Sequence, residues 1–345
     1  MDKKKVLLLY TGGTMGMKPG KDGALAPERG YLTERIKELP EMSRPEMPTF
    51  TIIEYNPLID SSCMGPKEWI KICTDIEANY FKYDGFVVIM GTDTMAYASS
   101  AVSFMLENLG KTVVFTGSQI PFCEVYNDAR RNLIVSVIFA ATSDFPEVCV
   151  CFNDSLFRAN RTVKVDSGSL AAFDSPNFPA LATLGAVINE RKDLALPQPR
   201  GPFKAHITLE SNVIVLKLVP GFDDESIFAL INNSKKLRAI VIEMYGKWTS
   251  IYTYITTVTI TLHSYLRCPL LPHRYWQWSL QVRPPRCFKI SQVQRCRHCS
   301  CQSVSSWWRI PRHLLYGPRV PRSRGDRWGR HDHRSMYNKI SLFIR

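Results

Sequence analysis

The chain has 345 residues, 45% of them hydrophobic and 22% charged, with a formal net charge of +13. That length suffices for a sizeable core and about two domains. No apolar run approaches the roughly 18 residues of a membrane helix, which argues against a membrane protein and makes a cytoplasmic one the default. The charge would suit a nucleic-acid binder, but its distribution argues against that class: residues 1–247 hold 27 basic and 29 acidic residues, whereas 248–345 hold 17 basic residues and two acids, Asp326 and Asp332. The same tail holds six of the seven histidines, six of the seven tryptophans and five of the ten cysteines.

In chain order, MDKKKVLLLY has a basic flank but too short an apolar run for a signal peptide, and reads as a first strand. That strand stops on Thr11-Gly12-Gly13-Thr14, a sharp turn. DSS at 60–62 suits a cap before a helix that begins near Pro66. FVVIM (86–90) is a strand, GTDT a turn, and 96–109 an amphipathic helix closed by Gly110. KTVVFTG (111–117) is the next strand, then a loop with Pro121, a helix over 127–141 with Asn127 or Asp128 as N-cap, and a strand over 147–152. Strand–helix–strand at this spacing implies right-handed crossovers and an α/β, Rossmann-like, doubly wound parallel sheet. Ligands bind beyond the carboxyl ends of such strands, where TGGT and GTDT both fall. Residues 191–205, rich in Pro, Gly and charge, read as a linker. Strands over 206–221 and 237–246 open a smaller α/β domain that is incomplete. The expected organisation is therefore a catalytic domain over 1–190, a linker over 191–205, the start of a C-terminal domain over 206–247, and a foreign basic tail over 248–345.

Two strand ends present threonine beside glycine. Glycine lets backbone N–H groups approach a ligand, and a neighbouring hydroxyl can attack it. A threonine hydroxyl is a weak nucleophile that needs a base; an Asp and a Lys sharing a dry site can supply one, and Lys164 in RTVKVD is the candidate. Each motif alone has a plainer meaning: TGGT as a turn, GTDT as a helix cap. Neither a Gly-x-Gly-x-x-Gly nor a Walker pattern occurs, so a nucleotide cofactor has little support. The cysteines of the body lack metal spacing and suit a reducing compartment. In the tail, Cys296-x2-Cys299 with His298 has no second pair at finger spacing, so no metal is expected.

Taken together, TGGTMGM, NPLIDSSCM, GFVVIMGTDTMAYASSAVSFMLENLGKTVVFTGSQIP and LFRANRTVKVD resemble the cytosolic (type I) L-asparaginases, over about residues 3–246. The resemblance implies hydrolysis of L-asparagine to aspartate and ammonia without a cofactor. It makes Thr14 the nucleophile that forms an acyl-enzyme, and Thr92, Asp93 and Lys164 the relay that activates the attack or the water. Asp60, Ser61 and Ser62 would hold the substrate's α-amino and α-carboxyl groups, with Thr92 and Asp93 also lining its site. It further implies a homo-oligomer, dimer or tetramer, whose sites a neighbour's C-terminal domain completes. The sequence departs from the family where many relatives carry a tyrosine after TGGT: here the stretch is GALAP, with Ala24 and Leu25. Ala159 replaces the glycine of RGNR. The alternatives are a lysophospholipid or acyl-ester hydrolase using the same threonine, and an inactive protein that binds asparagine, or RNA through its tail.

After Tyr245-Gly246 the resemblance stops, and the genetic code supplies a reason. Read one base later, Trp328-Gly329 must encode Gly and Met336-Tyr337 must encode Cys; His331-Asp332 encodes Met or Thr. From Ser323 to Lys339 the shifted frame permits AGVIGGVDMTIEACTTK, which resembles the C-terminal motif of asparaginases. The expectation is a single-base frame change at or just after Gly246, with 248–345 largely disordered and ITTVTITL (255–262) aggregation-prone. Sequencing the transcript across codons 244–250 tests it: an inserted or lost base, or a displaced splice junction, is expected, and an unbroken conventional exon in the given frame contradicts it.

Overall fold

The computed structural model describes residues 3–221, 224–243 and 339–340. Of the basic tail, only 339–340 fall among them; ITTVTITL and the Cys296–Cys299 pair lie outside the described residues. The chain divides into two units, Met1–Ser211 and Asn212–Arg345.

The first unit is built on an eight-stranded sheet. Strands β1 (Lys5–Tyr10), β2 (Thr49–Glu54), β3 (Gly85–Ile89), β4 (Val113–Thr116) and β5 (Val148–Phe152) pair in parallel. Strands β6 (Ser155–Arg158), β7 (Ala182–Leu184) and β8 (Ile188–Glu190) extend it antiparallel, in the order β8-β7-β6-β5-β4-β3-β1-β2. The inner strands are buried along nearly their whole length, which is why they read as unbroken apolar runs. Their alternate side chains serve opposite layers. Leu7, Leu9, Phe86 and Val88 pack with α2 (Pro66–Asn79) and α3 (Met95–Met105). Val6, Leu8, Val87 and Ile89 pack with α1 (Tyr31–Glu38) and α4 (Ala129–Thr142). The sheet is doubly wound, as the sequence implies. In the order 2-1-3-4-5 the direction of winding reverses between β1 and β3, and the crevice at that switch point is the standard ligand site of such sheets. TGGT leaves β1 and GTDT leaves β3.

Two sequence expectations are revised. Helix α3 stops at Met105, not Leu109, because Leu106–Glu107 pair antiparallel with Lys204–Ala205; Asn108 then turns the chain at φ 53°, a conformation Asn tolerates. The 191–205 segment is consequently strapped to the first unit. Arg158, in an ion pair with the buried Glu147, donates to the Leu194 carbonyl at 2.7 Å. The N–H of Leu196 reaches Glu147 at 3.2 Å, and that of Ala205 reaches Glu77 at 2.9 Å.

In the second unit β9 (Val213–Lys217) and β10 (Ala239–Glu243) pair in parallel around α5 (Asp224–Asn233), a single βαβ crossover. The short strand β11 (Lys339–Ile340) adds antiparallel to β10.

Burial separates the cysteines of the first unit into two groups. Cys63 and Cys123 are exposed; Cys73, Cys149 and Cys151 are buried. Burial, aided by the Glu77 charge, pushes the Cys73 thiol up to about 12; burial does the same to Cys151, to about 12, and carries Cys149 well above the ordinary thiol range. Raised thiols stay protonated and unreactive below those values. Brief iodoacetamide treatment of the native chain at pH 8 is expected to label Cys63 and Cys123 and spare the other three until denaturant is added, as read by peptide mass spectrometry; early labelling of Cys149 or Cys151 would contradict the burial.

Candidate active site at the switch point

Three turns meet beyond the carboxyl ends of β1, β2 and β3. Thr11 is buried, and its N–H and its hydroxyl both donate to the Ile89 carbonyl, at 2.9 and 3.1 Å; its own carbonyl accepts from Ile59 N–H at 2.8 Å. It ties the end of β1 to the end of β3 and to the segment after β2. Gly12 and Gly13 follow with φ of 132° and 90°, which L side chains rarely adopt. Space forbids a side chain as well. A Cβ on Gly12 would lie 2.2 Å from the Ile59 oxygen, one on Gly13 2.2 Å from the Gly91 nitrogen, and one on Gly91 2.5 Å from Ser61 Oγ. The backbones of TGGT and GTDT are therefore in direct contact, with the Ile59 backbone against Gly12 and the Ser61 side chain against Gly91.

Thr14 opens a short 3-10 turn, Thr14–Gly16. It is half-buried, and its hydroxyl has no hydrogen-bond partner among the described residues. Tyr10 underlies this turn: a Cβ on Gly16 would meet its phenol oxygen at 1.9 Å. That buried hydroxyl has no partner among the described residues, and burial, with the Glu54 charge, raises its pKa and keeps it neutral. Past the turn, Met17–Pro19 pairs antiparallel with Leu25–Pro27. The GALAP stretch forms one arm of a hairpin and brings no hydroxyl to Thr14.

Thr92 is buried, two residues beyond Met90. Lys164 comes from a hairpin in which Val163–Lys164 pairs with Phe173–Asp174. Its Nζ donates to Thr92 Oγ1 at 2.9 Å and to Asp93 Oδ1 at 2.8 Å. The lysine side chain is 16% exposed, the aspartate 64%. Thr92 in turn donates to Gln119 Oε1 at 3.0 Å. Gln119 is itself fixed: its amide donates to the carbonyls of Ser167 and Ser169, at 2.8 and 3.2 Å, and its backbone N–H donates to Asp128 Oδ2 at 3.0 Å. The structure thus joins Thr92, Asp93 and Lys164 in one network and adds Gln119, which sequence reasoning missed. Its signal was its place: TGSQIP leaves β4 at the same sheet edge as the other turns.

Asp60, Ser61 and Ser62 form the third turn. Asp60 precedes a 3-10 turn, Ser61–Cys63, and accepts from Ser62 N–H at 2.8 Å. Asp60 and Ser62 are exposed; Ser61 is buried against Gly91. The cap expected of DSS for α2 falls instead to Glu68, which accepts from Gly65 N–H at 2.8 Å. Among the described residues no cluster of three or more His, Cys, Asp or Glu could hold a metal, and no helix is long and apolar enough to cross a membrane.

A hydroxyl on a glycine turn and a Thr–Lys–Asp network on the turn next to it, at the switch point of a doubly wound sheet, are groups a hydrolase can use. Comparison with known proteins gives the family. Residues 5–195 match the asparaginase N-terminal domain. The chain is 42% identical over 246 residues to L-asparaginase 1 of Escherichia coli, covering 71% of this chain and 72% of that one. The crystal structure of L-asparaginase I from Vibrio cholerae superposes with a TM-score of 0.70 at 38% identity, over 76% of this chain and 79% of that one. A mouse 60 kDa lysophospholipase is 39% identical over 265 residues, which span 71% of this chain and 46% of that protein. The chain belongs to the asparaginase family.

Gly13 carries the contact between the first two turns, and its replacement tests that contact. Gly13→Ala is expected to lower stability by about 2–4 kcal/mol, from the positive φ and the clash with Gly91 combined, read as a reduced urea midpoint by circular dichroism. An unchanged midpoint would mean the turns are not in contact.

Proposed function

We propose that the chain hydrolyses the side-chain amide of L-asparagine to L-aspartate and ammonia, with Thr14 as nucleophile. The observation that carries this reading is the Lys164–Thr92–Asp93 network beside a threonine hydroxyl free of other partners. Thr14 Oγ1 attacks the amide carbon, its proton passes to the departing nitrogen, and ammonia leaves an acyl-enzyme. Water then attacks the acyl carbon, releasing aspartate and returning the proton to Thr14. The backbone N–H groups of Thr14 and Thr92 have no hydrogen-bond partners among the described residues and suit the oxyanion, each such donor being worth about 10²–10³ in rate.

The relay has a defined polarity. In the resting arrangement donation runs from Lys164 to Thr92 to Gln119. A neutral Lys164 can instead accept the Thr92 proton while Thr92 takes one from the attacking group, and the Asp93 carboxylate stabilises the ammonium so formed. The second Asp93 oxygen has no hydrogen bond among the described residues, on a side chain 64% exposed, and suits the substrate's α-ammonium, as does Asp60. Ser61 and Ser62 suit its carboxylate. A cytoplasmic site of action goes with this reading.

Acyl-ester hydrolysis draws support from exposed Val163 and Val165, which flank Lys164 with apolar surface, and from the name of the mouse relative. Ammonia release from L-asparagine by the purified chain decides between the readings. Thr14→Ala is expected to reduce it by at least about 10³-fold and Lys164→Met by about 10²–10⁴-fold. Release unchanged in Thr14→Ala would refute the nucleophile. No release beside Thr14-dependent cleavage of a lysophospholipid would favour the ester reading, and neither activity would leave a binding protein.

A further inference from the structure

We infer that Thr94 is a positioning residue that locks the relay turn onto the substrate-binding turn and so sets the affinity for an amino-dicarboxylic substrate. The inference rests on the asparagine reading for the roles of the two turns it joins.

Thr94 occupies the N-cap position of α3 but makes no side-chain capping bond. A threonine there ordinarily accepts from the N–H two or three residues on, a bond worth about 1 kcal/mol to the helix. Here the hydroxyl points elsewhere and donates to the Ser61 carbonyl at 2.7 Å. That carbonyl also accepts from Met64 N–H at 3.1 Å, closing the 3-10 turn that follows Asp60. Ser61 is thus held twice from the GTDT side: its Oγ lies against Gly91, and its carbonyl is bonded by Thr94. Between these two anchors sit Thr92 and Asp93. With Asp93 and Asp60 on the two turns, a substrate ammonium between them depends on their spacing, and Thr94 is the side-chain hydrogen bond that fixes it. A lost positioning bond of this kind appears first in binding, because the Lys164–Thr92 network does not pass through Thr94.

The test compares Thr94→Val, which keeps the branched shape and removes the hydroxyl, with Thr94→Ser, which keeps the hydroxyl, in the full chain. Binding of L-aspartate, a product that is not turned over, is measured by calorimetry, beside KM and kcat for ammonia release and the urea midpoint. Thr94→Val is expected to weaken aspartate binding about five- to tenfold, to raise KM by a similar factor with kcat changed less than about twofold, and to lower the midpoint by no more than the loss of one hydrogen bond accounts for. Thr94→Ser is expected to restore both constants. Aspartate affinity unaltered in Thr94→Val overturns the inference, as does a fall in kcat and midpoint together, which marks a structural role. If the unaltered chain binds aspartate but releases no ammonia, the hydrolytic reading fails while the affinity comparison still decides this one; a chain that releases ammonia but binds no aspartate overturns this inference alone, and one that does neither overturns both.

Discussion

The site depends on the approach of three backbones to van der Waals contact. Gly12 lies on Ile59, Gly13 on Gly91, and Gly91 on Ser61. At each point a single methyl group would collide with main-chain or serine atoms. Close packing of this kind does not relax cheaply. It is what lets residues drawn from three separate crossovers act on one small molecule. Thr11 completes the arrangement from below, spending both its donors on Ile89 and its carbonyl on Ile59. The two threonines of TGGT therefore have different employments: Thr11 is consumed by the fold, and Thr14 is left free of partners.

Electrostatics adds a second requirement. Lys164 is mostly covered, yet it meets a carboxylate and a hydroxyl within 3 Å. A cation in that position needs partners, because a buried ammonium without them is costly. Asp93 provides the charge while most of its side chain stays exposed. Gln119 orients the Thr92 hydroxyl without adding charge, and its own amide is pinned by two carbonyls of the loop after Lys164. The loop and the relay are fixed by the same side chain, so the lysine is delivered by a hairpin that is itself anchored at the site.

The apolar runs made the parallel strands legible, because a strand buried on both faces has no polar positions to interrupt it. The two threonine turns were legible for a related reason: Gly-Gly and Gly-Thr at the end of such runs stand out against continuous hydrophobic sequence. What escaped was information held between distant segments. Nothing local predicts that Leu106–Glu107 leave a helical pattern to pair with Lys204–Ala205, since the competing partner lies about a hundred residues away. Nor does the Pro- and Gly-rich composition of 191–205 reveal that Glu147 and Glu77 hold its backbone. Gln119 was hidden likewise: a glutamine in a loop has no pattern until its partners are known. The matches to relatives cover about 71% of the chain, in keeping with a resemblance that runs to about residue 246.

The N-cap positions show where local stability yields to the site. Sequence reasoning treats Thr or Asp before a helix as a device for satisfying its free N–H groups. At α3 that residue is Thr94, and at α4 it is Asp128; neither caps its own helix. Thr94 bonds the Ser61 carbonyl. Asp128 accepts from the N–H groups of Gln119 and Ile120, both at 3.0 Å, and from Asn132 Nδ2 at 3.1 Å. The capping of α4 falls to Asn127, whose Oδ1 takes Arg130 N–H at 3.2 Å. Thr94 has been directed to the turn before α2 and Asp128 to the loop in front of its own helix, and each of those segments carries a candidate site residue. A sequence that departs from the local rule at both helices facing one crevice has a physical reason to do so: bonds given up within the helices reappear as constraints on the geometry of the site. The helices α3 and α4 then hold the turns in place; α4 keeps a side-chain cap in Asn127, and the end of α3 is left to the packing of its apolar face.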